Sequence, residues 1–152
     1  MDAHLTNQVH TFAGNPLDRG ESIRRDESAI EALAQNPNSQ FLAFHQLKVL
    51  VADSQALVWQ PRAQLPEHGQ TVFLGIHEEV ARFAVNIPAP DDADAYADCR
   101  AVAAQLPTHE TGILAQARAQ LDWHRRNKFC AECGQPSFPE RGGQIRRCSG
   151  CG

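Results

Sequence analysis

The sequence contains no apolar run near the roughly 20 residues that a membrane-crossing helix needs, so nothing in it reads as a transmembrane span. Its first ten residues, MDAHLTNQVH, lack the basic start and apolar centre of a secretory signal, which points to the cytosol. The composition, 42% hydrophobic and 21% charged, excludes collagen, coiled coil and wholesale disorder. Cysteine is nearly missing from the first 129 residues, where Cys99 stands alone. A charge surplus large enough to argue for nucleic acid is missing too. Residues 1–123 hold eight Lys and Arg against sixteen Asp and Glu, whereas residues 124–152 hold six against two. The tail is therefore only +4, too little by itself to argue for nucleic acid.

What is present is a cluster. Cys130, Cys133, Cys148 and Cys151 form two Cys-x-x-Cys-Gly turns separated by fourteen residues, one fewer than the usual zinc-ribbon loop range. In a reducing compartment two such pairs are better explained by a metal than by disulfides. Each turn brings two thiolates to one ion, and the glycine after the second cysteine permits the left-handed backbone that closes it. Ser137-Phe138 and Gln144–Arg147, joined across Arg141-Gly142-Gly143, read as a small hairpin between the turns. Four protein thiolates leave no open position for water or substrate, so the expected Zn2+ is structural. So small a segment draws its folding free energy from the metal.

The rest of the chain reads as α+β. A turn-rich leading segment around Asn15-Pro16 and Gly20 precedes a helix capped by Asp26 or Ser28 and stopped at Asn36-Pro37. Apolar runs at 41–44, 47–51, 56–59, 72–76 and 80–87 predict strands paired antiparallel through tight turns, with Asp53-Ser54 marking one turn. Ala81, Phe83, Val85 and Ile87 alternate with Arg82 and Asn86, the pattern of a sheet with one wet face. Asp91, Asp92 and Asp94 then suit the start of a helix reaching Leu106, and a second helix runs from Pro107-Thr108 to Arg126. Trp123 lies off that helix's apolar stripe and is expected to pack on the ribbon, with His124 at the surface. The expected division is a body of residues 1–124, including the linker helix, and a ribbon of residues 125–152.

Other candidates have ordinary explanations beside the functional ones. Cys99 reads as a buried small hydrophobe. Arg19, Arg24 and Arg25 with Asp18 suit structural ion pairs better than a phosphate site. Glu78-Glu79 suits a solvated hairpin turn better than a magnesium site. Arg125, Arg126, Lys128, Arg146 and Arg147 make a basic patch beside Trp123 and Phe129, either a solvated face or a contact for polyphosphate or RNA.

The run Leu114 to Arg126, with its Trp123-His124-Arg125-Arg126, followed by Phe129-Cys130-x-x-Cys133-Gly134 and Cys148-x-x-Cys151-Gly152, resembles the linker helix and zinc ribbon of the NADH pyrophosphatases, a branch of the Nudix hydrolases. Phe12-Ala13-Gly14-Asn15-Pro16-Leu17-Asp18-Arg19 is similar to that family's N-terminal signature. The resemblance implies a degenerate Nudix-like N-terminal domain, mostly antiparallel sheet with helices, then the ribbon, then a catalytic Nudix domain. It implies hydrolysis of the pyrophosphate of NADH or NAD to nicotinamide mononucleotide and AMP, in some members on NAD-capped RNA, with Mg2+ or Mn2+ on the Nudix-box glutamates and a homodimer. The family's zinc ligands map onto Cys130, Cys133, Cys148 and Cys151. No Nudix box, with its Arg-Glu-x-x-Glu-Glu run, occurs in residues 1–152. The expectation is therefore a non-catalytic front portion of such a protein, with no catalytic residue to name. The competing reading is a stand-alone zinc-ribbon adaptor that binds RNA or protein.

Overall fold

The computed structural model describes residues 10–52 and 56–152. Its first helix, α1 (Glu27–Gln35), starts where the Asp26 carboxylate accepts the amides of Ser28 and Ala29 at 3.0 and 3.2 Å. Asp26, not Ser28, is the cap. The helix ends at Asn36, and the Ser39 hydroxyl donates to the Leu33 carbonyl at 2.6 Å.

One sheet organises the body. Strands β1 (Gln40–His45), β2 (Lys48–Leu50), β3 (Trp59–Pro61), β4 (Gln70–His77), β5 (Val80–Asn86) and β6 (Tyr96–Ala97) run in the order β4-β5-β1-β2-β6, with β3 also paired to β1. Pairing is mostly antiparallel, but β1 and β5 are parallel, from Gln40 opposite Arg82 to Phe44 opposite Asn86. That pair departs from antiparallel pairing through tight turns, within a sheet that is mostly antiparallel as the family resemblance implies. Two neighbours share the other edge of β1, β3 along residues 40–42 and β2 along residues 44–45. The expected strand at 56–59 instead forms at 59–61, and the Asp53-Ser54 turn lies outside the described residues. Gln46-Leu47 and Glu78-Glu79 close two-residue hairpins with φ of 50° and 63°, and 49° and 63°. Both central residues at positive φ are the mark of a type I′ turn.

Neither face of the sheet is wet at its centre. Leu42, Phe44, Val72, Leu74 and Ala84 pack against α2 (Cys99–Ala103) and α3 (Thr108–Arg126) through Cys99, Val102, Ile113, Leu114, Ala117 and Leu121. On the opposite face Phe41, Ala43, Phe73, Phe83 and Val85 gather with Ile30 of α1 and Tyr96. The Phe41 and Phe83 rings stack at 4.9 Å. The wet face expected from Arg82 and Asn86 is covered between them, where Ala84 is wholly buried because helices pack on both faces.

The acidic run does not open a long helix. Asp92 caps a 3-10 turn at Ala93–Ala95, β6 follows, and α2 begins only after Asp98, whose carboxylate accepts from Arg100 and Ala101. The break occurs where Tyr96 enters the core and pairs with Leu50. α3, by contrast, spans the expected residues. Among the described residues no helix is long and apolar enough to cross a membrane.

The leading segment is fastened by side chains that bond to main chain. Asp18 and Ile76 exchange backbone hydrogen bonds at 2.9 and 2.7 Å, and Leu17 is buried beside them. Arg24, 2% exposed, donates to the carbonyls of Arg19 at 2.6 Å, Phe73 at 2.7 Å and Arg141 at 3.0 Å. Its guanidinium also lies 4.7 Å over the Phe73 ring. Neither the ion pair nor the phosphate site expected of the Arg19–Arg25 region accounts for Arg24, which is a main-chain clasp. Burial and the nearby Arg19 lower its pKa, yet a guanidinium stays charged. Arg24→Ala is expected to cost about 3 kcal/mol in urea unfolding, because buried carbonyls lose charge-assisted donors. Arg24→Lys is expected to recover less than half of that loss, since an ammonium lacks the planar fork.

Candidate metal centre

The ribbon is a hairpin of β7 (Ser137–Glu140) and β8 (Ile145–Cys148), paired from Ser137 opposite Cys148 to Glu140 opposite Ile145. A cysteine turn flanks it on each side. In the first turn the Cys130 amide donates to Gln135 at 2.8 Å and the Gly134 amide to Cys130 at 3.0 Å, with Gly134 at φ 73°. In the second turn the amides of Gly150 and Cys151 point at Cys148 Sγ at 3.2 and 3.4 Å. Ser149 holds the two turns together, since its amide and hydroxyl both donate to Pro136 at 3.0 and 2.9 Å.

This geometry brings Cys130, Cys133, Cys148 and Cys151 to one point. Their sulfurs all lie within 4.8 Å of one another, with Cys130 to Cys151 at 3.7 Å and Cys133 to Cys148 at 3.3 Å. A tetrahedron with metal–sulfur bonds of about 2.3 Å has edges of about 3.8 Å, so the four positions suit one ion such as zinc. Their protonation shows the same demand. Amide hydrogen bonds from Cys151 and Gly150 pull the Cys148 thiol down to about 6, while hydrogen bonding with Cys133, Cys130 and Cys148 pushes Cys151 up to about 12. Thiolates this close repel one another unless a cation sits among them.

The hairpin is seated on the body by its turn. Arg141, Gly142 and Gly143 all have positive φ, at 53°, 63° and 87°. The glycines are required by contact as well as by φ. A Cβ on Gly142 would lie 2.7 Å from Phe73, and one on Gly143 would lie 2.7 Å from Val72 and 3.0 Å from His124. The Arg141 carbonyl accepts from Arg24, and its amide donates to Glu27.

His124 corrects the sequence reading. Expected at the surface, it is 1% exposed and hydrogen-bonded to Gly143, whereas Trp123, expected to pack on the ribbon, is 38% exposed. The two residues differ by about 100° of helix rotation, and the seated turn meets the face that carries His124. The basic patch is largely paired: Arg125 and Arg126 share Asp122, Arg147 binds Glu140, and Arg146 turns inward to His124 and Ser137. Cys99 is buried, donates to the Leu47 carbonyl at 3.2 Å, and has its thiol pushed up to about 11 by burial. Glu78-Glu79 is an exposed turn, as expected.

The Asn15-Pro16-Leu17-Asp18 segment acquires a physical role. Asn15 Oδ1 accepts the Leu17 amide at 3.0 Å while its Nδ2 donates to Gln116 of α3 at 2.8 Å. Gly112 lets this strap approach, since a Cβ there would lie 2.8 Å from the Asn15 nitrogen. From the residues alone only the turn-rich character around Asn15-Pro16 is legible.

Comparison with known proteins now decides the family. Residues 38–123 match the family described as NADH pyrophosphatase-like rudimentary NUDIX domain. The chain belongs to that family. It is 28% identical over 193 residues to the human NAD-capped RNA hydrolase NUDT12, covering 95% of this chain and 42% of that protein. It is 29% identical over 119 residues to the NAD-capped RNA hydrolase NudC of Deinococcus radiodurans, covering 76% and 41%. Over 45 residues it is 42% identical to an NAD-capped RNA hydrolase of Schizosaccharomyces pombe. The chain thus spans less than half the length of these curated relatives.

Gly143→Ala tests the seating. The added methyl meets Val72 at a φ of 87°, so residues 137–148 should undock, with a loss of about 2 kcal/mol. Limited proteolysis confined to the hairpin is the expected result.

Proposed function

We propose that residues 1–152 are the non-catalytic front portion of an NAD(H)-type pyrophosphatase, a rudimentary Nudix body joined to a zinc ribbon that positions or dimerises a catalytic Nudix domain. The substrate of the whole protein would be NADH, NAD or NAD-capped RNA, and its Mg2+ or Mn2+ would sit on the Nudix-box glutamates of that further domain. The observation that carries this reading is the match to a rudimentary Nudix domain in a chain that contains no Nudix box.

The ribbon's part follows from its donors. Cys130, Cys133, Cys148 and Cys151 would hold Zn2+ as four thiolates, which fills the tetrahedron and makes the ion structural. Residues 1–124 and 125–152 would then act as two units of different origin of stability, one from an apolar core and one from the metal.

The purified chain is expected to bind about one zinc per molecule, measured by atomic emission. Cys130→Ser or Cys148→Ser should lose it and loosen the ribbon while the far-UV signal and the cooperative unfolding of the body persist. Loss of the whole fold would refute the division into two units. With NADH and Mg2+ or Mn2+ the chain should release no AMP by chromatography. Release that follows the protein through purification would place catalytic carboxylates within residues 1–152 and overturn the reading.

A further inference from the structure

The contact between α3 and the ribbon has one titratable group at its centre. His124 Nε2 lies 2.7 Å from the Gly143 carbonyl and Nδ1 lies 2.8 Å from the Arg146 guanidinium. A carbonyl only accepts and a guanidinium only donates. One form satisfies both, the neutral imidazole with its hydrogen on Nε2. Arg146 also donates to the Ser137 hydroxyl at 2.9 Å and to the Ser137 carbonyl, and that hydroxyl donates to Asn127 at 2.9 Å. The end of α3, β7, β8 and the seated turn are thus joined through one ring and one guanidinium.

The charges around the ring do not favour a second proton. Arg146 comes from β8, Arg141 sits in the turn, and Lys128 lines the cavity of about 480 Å3 beside the ring. Gln70 and Val72 are what β4 presents there, and neither ionises. On α3 itself Asp122 is engaged by Arg125 and Arg126. Among the described residues that line the cavity there is no carboxylate.

We propose that His124 is an acid-sensitive latch, in which a proton on Nδ1 replaces the acceptor facing Arg146 with a donor and releases the β7–β8 hairpin from α3 and β4. The latch involves no cysteine and stands whether or not the chain is part of a pyrophosphatase. Burial, and then Arg146, hold the docked ring below its ordinary 6.5, although the Gly143 bond opposes them. An undocked ring in water returns to its ordinary value. As pH falls below 6.5, the undocked form takes up the proton first, and the opening constant rises about tenfold per pH unit until the docked ring protonates as well. The His124 contribution to docking is fully present above that window and is lost as pH falls through it.

Trp123 is the reporter, since its ring centroid lies 4.7 Å from that of His124 and imidazolium quenches indole. In a Trp59→Phe background Trp123 is the single tryptophan. The full chain in zinc-containing buffer, titrated from about pH 8 to about pH 5, should show quenching below neutrality. Hydrogen exchange of residues 137–148, corrected for intrinsic rates, should accelerate about tenfold per pH unit in the same window. His124→Gln keeps a donor for Gly143 and cannot titrate, so both changes should vanish. Persistence of both in His124→Gln, as acid stripping of metal from the thiolates would give, overturns the proposal. So does a parent with no transition, or a transition that coincides with loss of the far-UV signal of the body. Should His124→Gln fail to fold, Arg146→Gln decides: removing the cation should move the midpoint upward, and an unmoved midpoint refutes the latch.

Discussion

A buried cation held by main-chain carbonyls is the constraint on which the assembly of this chain depends. Arg24 reaches the carbonyls of Arg19, Phe73 and Arg141, which belong to the leading segment, the outer strand β4 and the ribbon turn. Removing water from a guanidinium is costly unless its N–H groups are satisfied. The leading segment and β4 satisfy most of the guanidinium within the body, and the ribbon turn adds the Arg141 carbonyl when it docks, so the same cation that fixes the leading segment also marks where the turn sits. The stack over Phe73 adds an apolar face to the same grip.

The seated turn is the counterpart of that clasp. Gly142 and Gly143 bring backbone within contact of Phe73, Val72 and His124, a separation that any side chain would widen. Positive φ across Arg141 to Gly143 points the Arg141 carbonyl at Arg24 and the Gly143 carbonyl at His124. The four-thiol cluster lies at the far end of the hairpin from this turn. The thiol cluster and the seating are thus separated along β7 and β8, so a metal held by the four thiols would order one end of the hairpin while the body orients the other.

Local chemistry made much of the architecture legible. The Cys-x-x-Cys-Gly pairs, the Pro107-Thr108 start of α3 and the Asn36-Pro37 stop of α1 are signals contained within a few residues, and each agrees with the structure. The errors share a cause. The wet face that Arg82 and Asn86 suggest is buried at Ala84 between them, because strand alternation cannot show that helices cover both faces. The acidic run at 91–94 suggested a helix start, but Tyr96 is drawn into the core before a helix can form. His124 and Trp123 exchanged roles because helical periodicity fixes their relative angle and not which angle meets the ribbon.

The sequence by itself determined the α+β class, the family resemblance and the set of four thiols, since these rest on spacing and on residue type. Tertiary structure alone decided the parallel β1–β5 pair, the duty of Arg24, the strap formed by Asn15 and the burial of His124. Each of these unites groups tens of residues apart, and their partners are chiefly backbone carbonyls and amides. Every residue carries those groups, so no residue type announces them. Only the folded chain selects which carbonyl stands before which side chain.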